Sequence, residues 1–435
     1  MNDAFVNFFR HSSPYINAHR GHTFVLYLSG ETLQGHTFTD IIHDLALLHS
    51  LDIRLVLVFG ARPHIDASLN LAKLPTETVN HLRITTPEAM QQILPTVGAL
   101  CLDLDARLTY SLQNSPMAGA QIKVVSGNFI AAKPLGVIHG KDYQHTGAVR
   151  RVNVQALQQQ MHQQAIVILP PLGFSPTGEI FNLSAEAVAL AAAVALKADK
   201  LIFLTPQALL DAHKTPIHEL TPTQASQMSH DPQYHCLHHI LNASAQACQQ
   251  GIRRTHLLNS QDNGAILKEL FTRDGTGTLL SEELFEHIRS AQIEDVQGIL
   301  ALIEPLERQG LLIRRSRERL EIEIHHFVII ERDGAVIGCA ALYPYAKDKM
   351  GEIACLAIDP AYQGAKRGAQ LLQYLENKAC ELQIFLLLVL TTQSAHWFIE
   401  QGFSEKTLSD VPIQRAALYN FQRNSKIFIK PLSAR

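Results

Sequence analysis

Cysteine is scarce and scattered in these 435 residues: Cys101, Cys236, Cys248, Cys339, Cys355 and Cys380, with no CxxC pair among them. That distribution excludes a disulfide framework and a thiolate zinc site, and it fits a reducing compartment. An excess of positive charge is also missing, since 37 Lys and Arg against 40 Asp and Glu leave a formal net charge of -3. Without a basic field there is nothing to hold a polyanion, so nucleic acid is not expected as a partner. The longest apolar run, AVALAAAVAL at 187–196, falls short of the roughly 20 residues a bilayer span needs. The opening MNDAFVNFFRHSS has neither a basic leader nor a long apolar core, so neither export nor a membrane span is expected, and the reading is cytoplasmic. Histidine is abundant at 22 residues, with pairs at His238/His239 and His325/His326, yet none is spaced as a metal site; no metal is expected.

What is present is core: 46% of residues are hydrophobic and 18% charged, enough for two or three globular domains. Over the first 280 residues short β-branched runs alternate with helical patterns, as in TFVLYL at 23–28, a helix near 38–50, IRLVLVF at 53–59 and a helix near 64–72. Strands follow at 121–125, 129–133, 166–169 and 201–204, and helices at 87–95, 152–164, 184–197 (capped by Ser184) and 236–250. This alternation predicts an α/β domain with a mainly parallel sheet over 1–280. After the turn-rich TRDGTGTLL at 272–280 a linker is expected at 281–287, and a second, α+β domain over 288–435. Its pattern is a helix at 294–309, strands at 326–331 and 335–342 joined by a turn at Asp333 and Gly334, a strand at 352–358, a helix at 367–382, a strand at 384–390 and a short helix at 394–401.

Within the second domain the strand GEIACLAID runs through Pro360 into YQGAKRGAQLLQYLENKA. A strand, a small-residue turn and a helix N-terminus converge free amides and the positive end of the helix dipole, which suits a pyrophosphate. Taken alone, the turn is an ordinary strand-to-helix connection. It resembles, however, the acetyl-CoA loop of the GNAT acetyltransferases, Arg or Gln, x, x, Gly, x, Gly or Ala, with Gln363 and Gly368 matching and Lys366 in place of the first glycine. IRSAQIEDV, LLIRRSRERLEIEI, TTQSAHWFIEQGF and LYNFQRNSK extend the likeness, and FVNFFRHSSPYINAHRG, VFGARPHID, ARLTYSL, VVSGNFIAAKPLGV and LFTRDGTGT carry it across the first domain. Together they resemble the bacterial N-acetylglutamate synthase family, in which an amino-acid-kinase-like domain precedes a GNAT domain.

The resemblance implies a set of expectations. The first domain should not phosphorylate, because Tyr27 and Ser29 stand in TFVLYLSGE where acetylglutamate kinases carry Lys-x-Gly-Gly, Gly60-Ala61-Arg62 replaces a glycine pair, and Glu186 replaces an aspartate. It should bind L-arginine as feedback inhibitor through Tyr15, Lys197, His256, Asp274 and Gly277, and its N-terminal helix should link subunits into a homo-oligomer, a hexamer by family likeness. The second domain should transfer acetyl from acetyl-CoA to L-glutamate, the first step of arginine synthesis, with Glu352 and Thr391 as catalytic groups. Glu352 lies about 20 Å from the loop at roughly 3.3 Å per strand residue, the reach of a pantetheine arm. Ile313, Arg315, Cys355, Arg423 and Ser425 should hold the acceptor, because guanidinium groups match carboxylates. Leu356, Ile358 and Gln363, Gly364, Ala365, Lys366, Arg367, Gly368 and Ala369 should hold the acyl-CoA. Rival readings are a non-catalytic arginine sensor, acetylation of a different amine, and residual kinase activity.

Overall fold

The computed structural model describes residues 3–432 except 80, 111, 113, 114, 283–285, 333, 364, 365 and 422, and excludes the side chains of 3–5 and 7. Gly364 and Ala365, both assigned to the acyl-CoA loop, and the turn residue Asp333 therefore lie outside the described residues. The chain divides into two compact units, residues 1–284 and 285–435.

The first unit is built on an eight-stranded sheet. Its strands are β1 (Thr23–Leu28), β2 (Arg54–Phe59), β3 (Lys123–Ser126), β4 (Ala165–Leu169), β5 (Lys200–Thr205), β6 (Glu219–Leu220), β7 (Arg254–Asn259) and β8 (Thr278–Leu280), in the order β6-β8-β7-β5-β1-β2-β4-β3. From β7 to β3 every pairing is parallel, and β8 runs antiparallel to β7. Strands covered on both faces read as unbroken apolar runs, and the period of two divides each between two cores. Val25, Tyr27, Val56 and Val58 pack under helix α2 (Ala185–Leu196), while Phe24, Leu26, Leu55, Leu57 and Phe59 pack on the opposite side. Ser184 caps α2 as the sequence predicts, accepting the Ala187 amide at 3.3 Å. The N-terminal helix α1 (Asp3–His19) is tied to α3 (Ala265–Phe271) by two hydrogen bonds, from Ser12 Oγ to the Phe271 carbonyl at 3.1 Å and from His19 Nε2 to the Leu270 carbonyl at 2.8 Å.

The second unit carries a seven-stranded sheet in the order β9-β10-β11-β12-β13-β15-β14: β9 (Glu286–Ser290), β10 (Phe327–Arg332), β11 (Ala335–Tyr345), β12 (Met350–Ile358), β13 (Leu386–Thr391), β14 (Ser404–Lys406) and β15 (Lys426–Pro431). All pairs are antiparallel except β12 with β13, whose crossover is the helix α6 (Arg367–Glu381). Helices α4 (Val296–Arg308) and α5 (Arg317–Glu323) precede the central strands, α7 (Ala395–Glu400) follows β13, and the short α8 (Ile413–Ala416) precedes β15.

Three sequence expectations change. Glu286 and His287, expected in the linker, open edge strand β9, where Glu286 is fixed by Arg332 and Arg367. The helix expected to stop at Pro95 continues to Thr109: the proline loses one amide bond and crowds the carbonyl four residues back, and the buried face of Ile93, Val97, Leu104 and Leu108 holds the helix together across it. Strands β6, β7, β8, β9, β14 and β15 were not anticipated: RTHLLN and KIFIKP alternate weakly and acquire their pairing from β5 and β8 and from β13 and β14. One close approach is testable. A Cβ on Gly277 would lie 2.3 Å from Leu258 Cδ2 and 2.5 Å from the Leu257 carbonyl oxygen, so Gly277→Ala is expected to cost about 1–3 kcal/mol in thermal unfolding; an unchanged midpoint would refute this packing of β8 on β7.

Candidate active site

The cleft of the second unit begins with a departure from strand geometry. Cys355 takes φ of 53°, a left-handed conformation that costs a non-glycine residue about 1–2 kcal/mol. The register with β11 shifts there, from Ala341↔Ala354 to Cys339↔Ala357, which is a β-bulge. The extra residue changes which side chains share a face. Ile353, Leu356 and Ile358 join the core containing Leu371, Leu372 and Leu375 of α6, whereas Cys355 and Ala357 join Val296, Ile299 and Ile303 of α4. On its other side β12 pairs with β13 only from Met350↔Leu386 to Ile353↔Val389. Beyond Ile353 the two parallel strands part, and the edge of β12 faces a cavity of about 1010 Å³ lined by Ile353–Pro360, the start of α6, residues Val389–Ser394, α4 and Trp397.

At one end of this cavity α6 begins. Its first intrahelical bond is from the Gln370 amide to the Lys366 carbonyl at 3.0 Å, so the amides of Arg367, Gly368 and Ala369 have no helical partner among the described residues and suit an anion. Lys366 occupies the N-cap at φ 58°, which explains why the family pattern prefers glycine there. A Cβ on Gly368 would lie 3.2 Å from the Trp397 ring, so the glycine lets the tryptophan seat against the helix start. Gln363 donates to the Ile358 carbonyl at 3.3 Å. The Arg367 guanidinium is committed elsewhere: it holds Glu286 at 2.7 and 2.9 Å and the Tyr362 carbonyl at 2.8 Å, leaving its backbone amide as its contribution to the cavity.

The bulge region carries the acceptor candidates. Arg315 donates through Nη1 to the Ile313 carbonyl at 3.3 Å, Arg423 donates through Nη2 to the Leu311 carbonyl, and the Nε of each is buried without a partner among the described residues. Burial, and then the Arg315 charge, pull Arg423 below the usual guanidinium range. Two adjacent cations with unfilled donors make a site for carboxylates. Cys355 is buried beside them, and burial pushes its thiol up to about 11, which disfavours the thiolate that a nucleophile needs. Thr391, at the end of β13, accepts the Ser394 amide at 3.0 Å and lines the cavity. Ser425 is buried, and its carbonyl accepts the Tyr419 hydroxyl at 2.7 Å.

Glu352 sits on β12 three residues before the bulge and is 8% exposed. Both its oxygens are taken by Arg415, Nε to Oε2 at 2.6 Å and Nη2 to Oε1 at 3.0 Å, and Tyr345 donates its hydroxyl to Oε2 at 3.1 Å. Sequence reasoning missed Arg415 and Tyr345. Nothing in PIQRAA or YPYAK distinguishes them from solvated positions until β12 brings Glu352 between them.

The first unit has its own small cavity of about 330 Å³ at the carboxyl ends of β1 and β2, lined by Tyr27, Ser29, Gly60, Ala61, Arg62, Asn182 and Glu186. Where a kinase would present a lysine, the Tyr27 hydroxyl donates to Glu186 at 2.9 Å and Ser184 donates to the other carboxylate oxygen at 2.6 Å. Of the arginine-site candidates, His256 on β7 and Gly277 before β8 are joined through Glu269, which the sequence reading missed: its carboxylate accepts His256 Nδ1 at 2.6 Å and the Gly277 amide at 2.9 Å. His256 Nε2 lies 3.2 Å from Lys200 Nζ. Burial and then Lys200 lower His256 to about 4, and despite its own burial Glu269 is held at about 2, first by the His256 hydrogen bond. The arrangement is a neutral imidazole bridging an ammonium and a carboxylate. Tyr15 on α1 packs against the core beside α3, Asp274 is exposed in the loop before β8, and Lys197 is the left-handed cap of α2 at φ 51°.

The sequence matches the profile of the Amino acid kinase family over residues 22–259 and that of the Acetyltransferase (GNAT) domain over 323–405. It is 50% identical to the amino-acid acetyltransferase of Azotobacter vinelandii over 98% of this chain and 99% of that protein, and 48% identical to that of Pseudomonas aeruginosa over the same shares. The chain belongs to the amino-acid acetyltransferase family. As a member it is an acyltransferase enzyme with a kinase-like and a GNAT domain. The crystal structure of N-acetylglutamate synthase from Neisseria gonorrhoeae complexed with coenzyme A and L-arginine is 36% identical, covers 98% of this chain and 99% of that one, and superposes with a TM-score of 0.87. A second structure of that synthase, with coenzyme A and N-acetyl-glutamate, gives 0.62 at the same identity. Among the described residues no helix is long and apolar enough to cross a membrane, and no group of side chains is arranged to hold a metal ion.

Two histidines give the first unit a pH signature. His19 and His256 both fall from 6.5 to about 4, mainly through burial. Below pH 6.5 the unfolded chain takes up protons that these buried rings refuse, so stability is expected to decline as pH falls from 6.5 toward 4. Urea unfolding across that range, compared with His19→Asn, should show a shallower slope in the variant; identical slopes would refute the assignment.

Proposed function

We propose that this enzyme transfers the acetyl group of acetyl-CoA to the α-amino group of L-glutamate, releasing N-acetyl-L-glutamate and CoA, and that L-arginine inhibits it by binding the first unit. The observation that carries the reading is the cleft between β12 and β13, with free helix amides at one end and two guanidinium groups with unfilled donors at the bulge. The pyrophosphate of acetyl-CoA sits on the amides of Arg367, Gly368 and Ala369. Its pantetheine arm runs along the unpaired edge of β12, adding the missing strand through backbone groups of Leu356 and Ile358. The thioester carbonyl then reaches the bulge, where backbone amides around Cys355 stabilise its developing negative charge.

Arg315 and Arg423, with Ser425 and the backbone of Ile313 and Cys355, hold the carboxylates of glutamate and orient its amine. The nitrogen bonds to the carbonyl carbon, the C–S bond breaks, and sulfur leaves with the electron pair. One ammonium proton passes to Glu352, directly or through a water, and the departing thiolate is protonated near the Thr391 hydroxyl. No acyl-cysteine is required. In the first unit the His256–Glu269 pair, Gly277, Asp274, Tyr15 and Lys197 form the arginine site, and kinase activity is absent because Tyr27 and Glu186 satisfy each other where a phosphate would need a cation. The enzyme works in the cytoplasm as a homo-oligomer assembled through α1, whose Phe8 and Phe9 are 52% and 62% exposed.

CoA thiol release is the direct assay, with L-glutamate against L-aspartate, L-ornithine and no acceptor. Glu352→Gln is expected to lower kcat by about 10²–10⁴ without changing the KM for acetyl-CoA, and Arg315→Ala to raise the glutamate KM about tenfold or more at little cost in kcat. Release with another amine would replace the acceptor, and no release with any would leave only an effector-binding role. Glu269→Gln should abolish inhibition by arginine while turnover persists; inhibition at the wild-type concentration would move the effector site elsewhere.

A further inference from the structure

We propose that Arg415 is a positioning residue that holds Glu352 out of use until the acceptor arrives, and that a carboxylate of the acceptor then takes Arg415 from it. The proposal rests on the reading of Glu352 as the base. The guanidinium occupies both carboxylate oxygens, at 2.6 and 3.0 Å, and the Tyr345 hydroxyl adds a third contact at 3.1 Å. With two donors on Oε2 and one on Oε1, an incoming N–H or water reaches the carboxylate only at the one acceptor site left on Oε1, beside the guanidinium.

The same segment supplies the means of release. Arg415 lies on the four-residue α8, the Arg415 Nη1 contact to the Leu418 carbonyl is 3.3 Å, and the flanking Ile413, Leu418 and Phe421 are 87%, 75% and 74% exposed. Val411, Ala416 and Tyr419 anchor the segment to the core of β12, β13 and β15, so release of Arg415 asks for a change of its side-chain rotamer and not for the segment to leave. It also carries Arg423, so one stretch of chain presents guanidinium groups both to the base and to the acceptor pocket. An acceptor with two carboxylates offers Arg415 the partner it loses in leaving Glu352. Without an acceptor, Glu352 stays filled and acetyl-CoA is protected from attack by water.

Arg415→Gln and Arg415→Lys separate this from a purely structural role. In Arg415→Gln the glutamate KM should rise about tenfold with the acetyl-CoA KM unmoved. Release of CoA without glutamate, which is hydrolysis of the thioester, should rise severalfold and disappear again in the Arg415→Gln/Glu352→Gln double variant. Arg415→Lys should recover part of the glutamate affinity and most of the protection. A variant that only loses kcat, with no gain in hydrolysis and no change in glutamate KM, would show that Arg415 merely braces Glu352, and would overturn the proposal. Glutamate-dependent release by the unmodified enzyme is measured alongside: with it intact, a null result at Arg415 counts against the clamp alone, and without it the underlying reading falls too.

Discussion

The second unit depends on the parting of two parallel strands. Parallel neighbours ordinarily continue their ladder to the strand ends, because every unpaired backbone group that stays dry costs free energy comparable to a lost hydrogen bond. Here β12 and β13 stop pairing after Ile353 and Val389, and the bulge at Cys355 accompanies the break. A ligand that behaves as an extra strand satisfies the exposed edge. The cavity is therefore a property of the backbone, and the side chains around it decide what is carried and what is acetylated.

The bulge also explains why the site has two chemically distinct sides. By inserting one residue it sends Leu356 and Ile358 to the core under α6 and Cys355 to the core under α4. The side proposed for acyl-CoA is consequently apolar with amides at the helix start, and the side proposed for the acceptor is the one beside Arg315 and Arg423. Half-burying two guanidinium groups whose buried Nε donors have no partner among the described residues is unfavourable in isolation. Such a pair makes sense where an anionic acceptor completes it. The Glu352–Arg415 pair answers the same constraint in the opposite direction: a nearly buried carboxylate needs a cation while it waits.

The first unit keeps the architecture of the amino acid kinase family. The sheet, its two cores and the cavity at the strand ends persist, yet Tyr27 and Glu186 hydrogen-bond to each other. At the other end of the sheet, Lys200, His256 and Glu269 form a buried polar chain that sets the loop before β8 through the Thr276 and Gly277 amides. A neutral imidazole is the only state that donates to the carboxylate and accepts from the ammonium together, which ties the ring's low proton affinity to the geometry of that loop.

Local chemistry was legible in the chain itself. Unbroken apolar runs announced the parallel sheet, Ser184 its helix cap, and the pattern after Glu352 a strand followed by the helix that starts at Arg367, because each depends on neighbours within a few residues. Replacement of the kinase lysine by Tyr27 was equally plain. Strands such as β7 and β15 were not, since their alternation is weak and their hydrogen bonds come from strands far away in sequence. Nor were Arg415, Tyr345 and Glu269: a charged residue looks the same in sequence whether it is solvated or locked to a buried partner. Only the tertiary structure, by placing Arg415 across both oxygens of Glu352, decided that the candidate base rests in a filled state, because that contact spans 63 residues of chain that no local pattern connects.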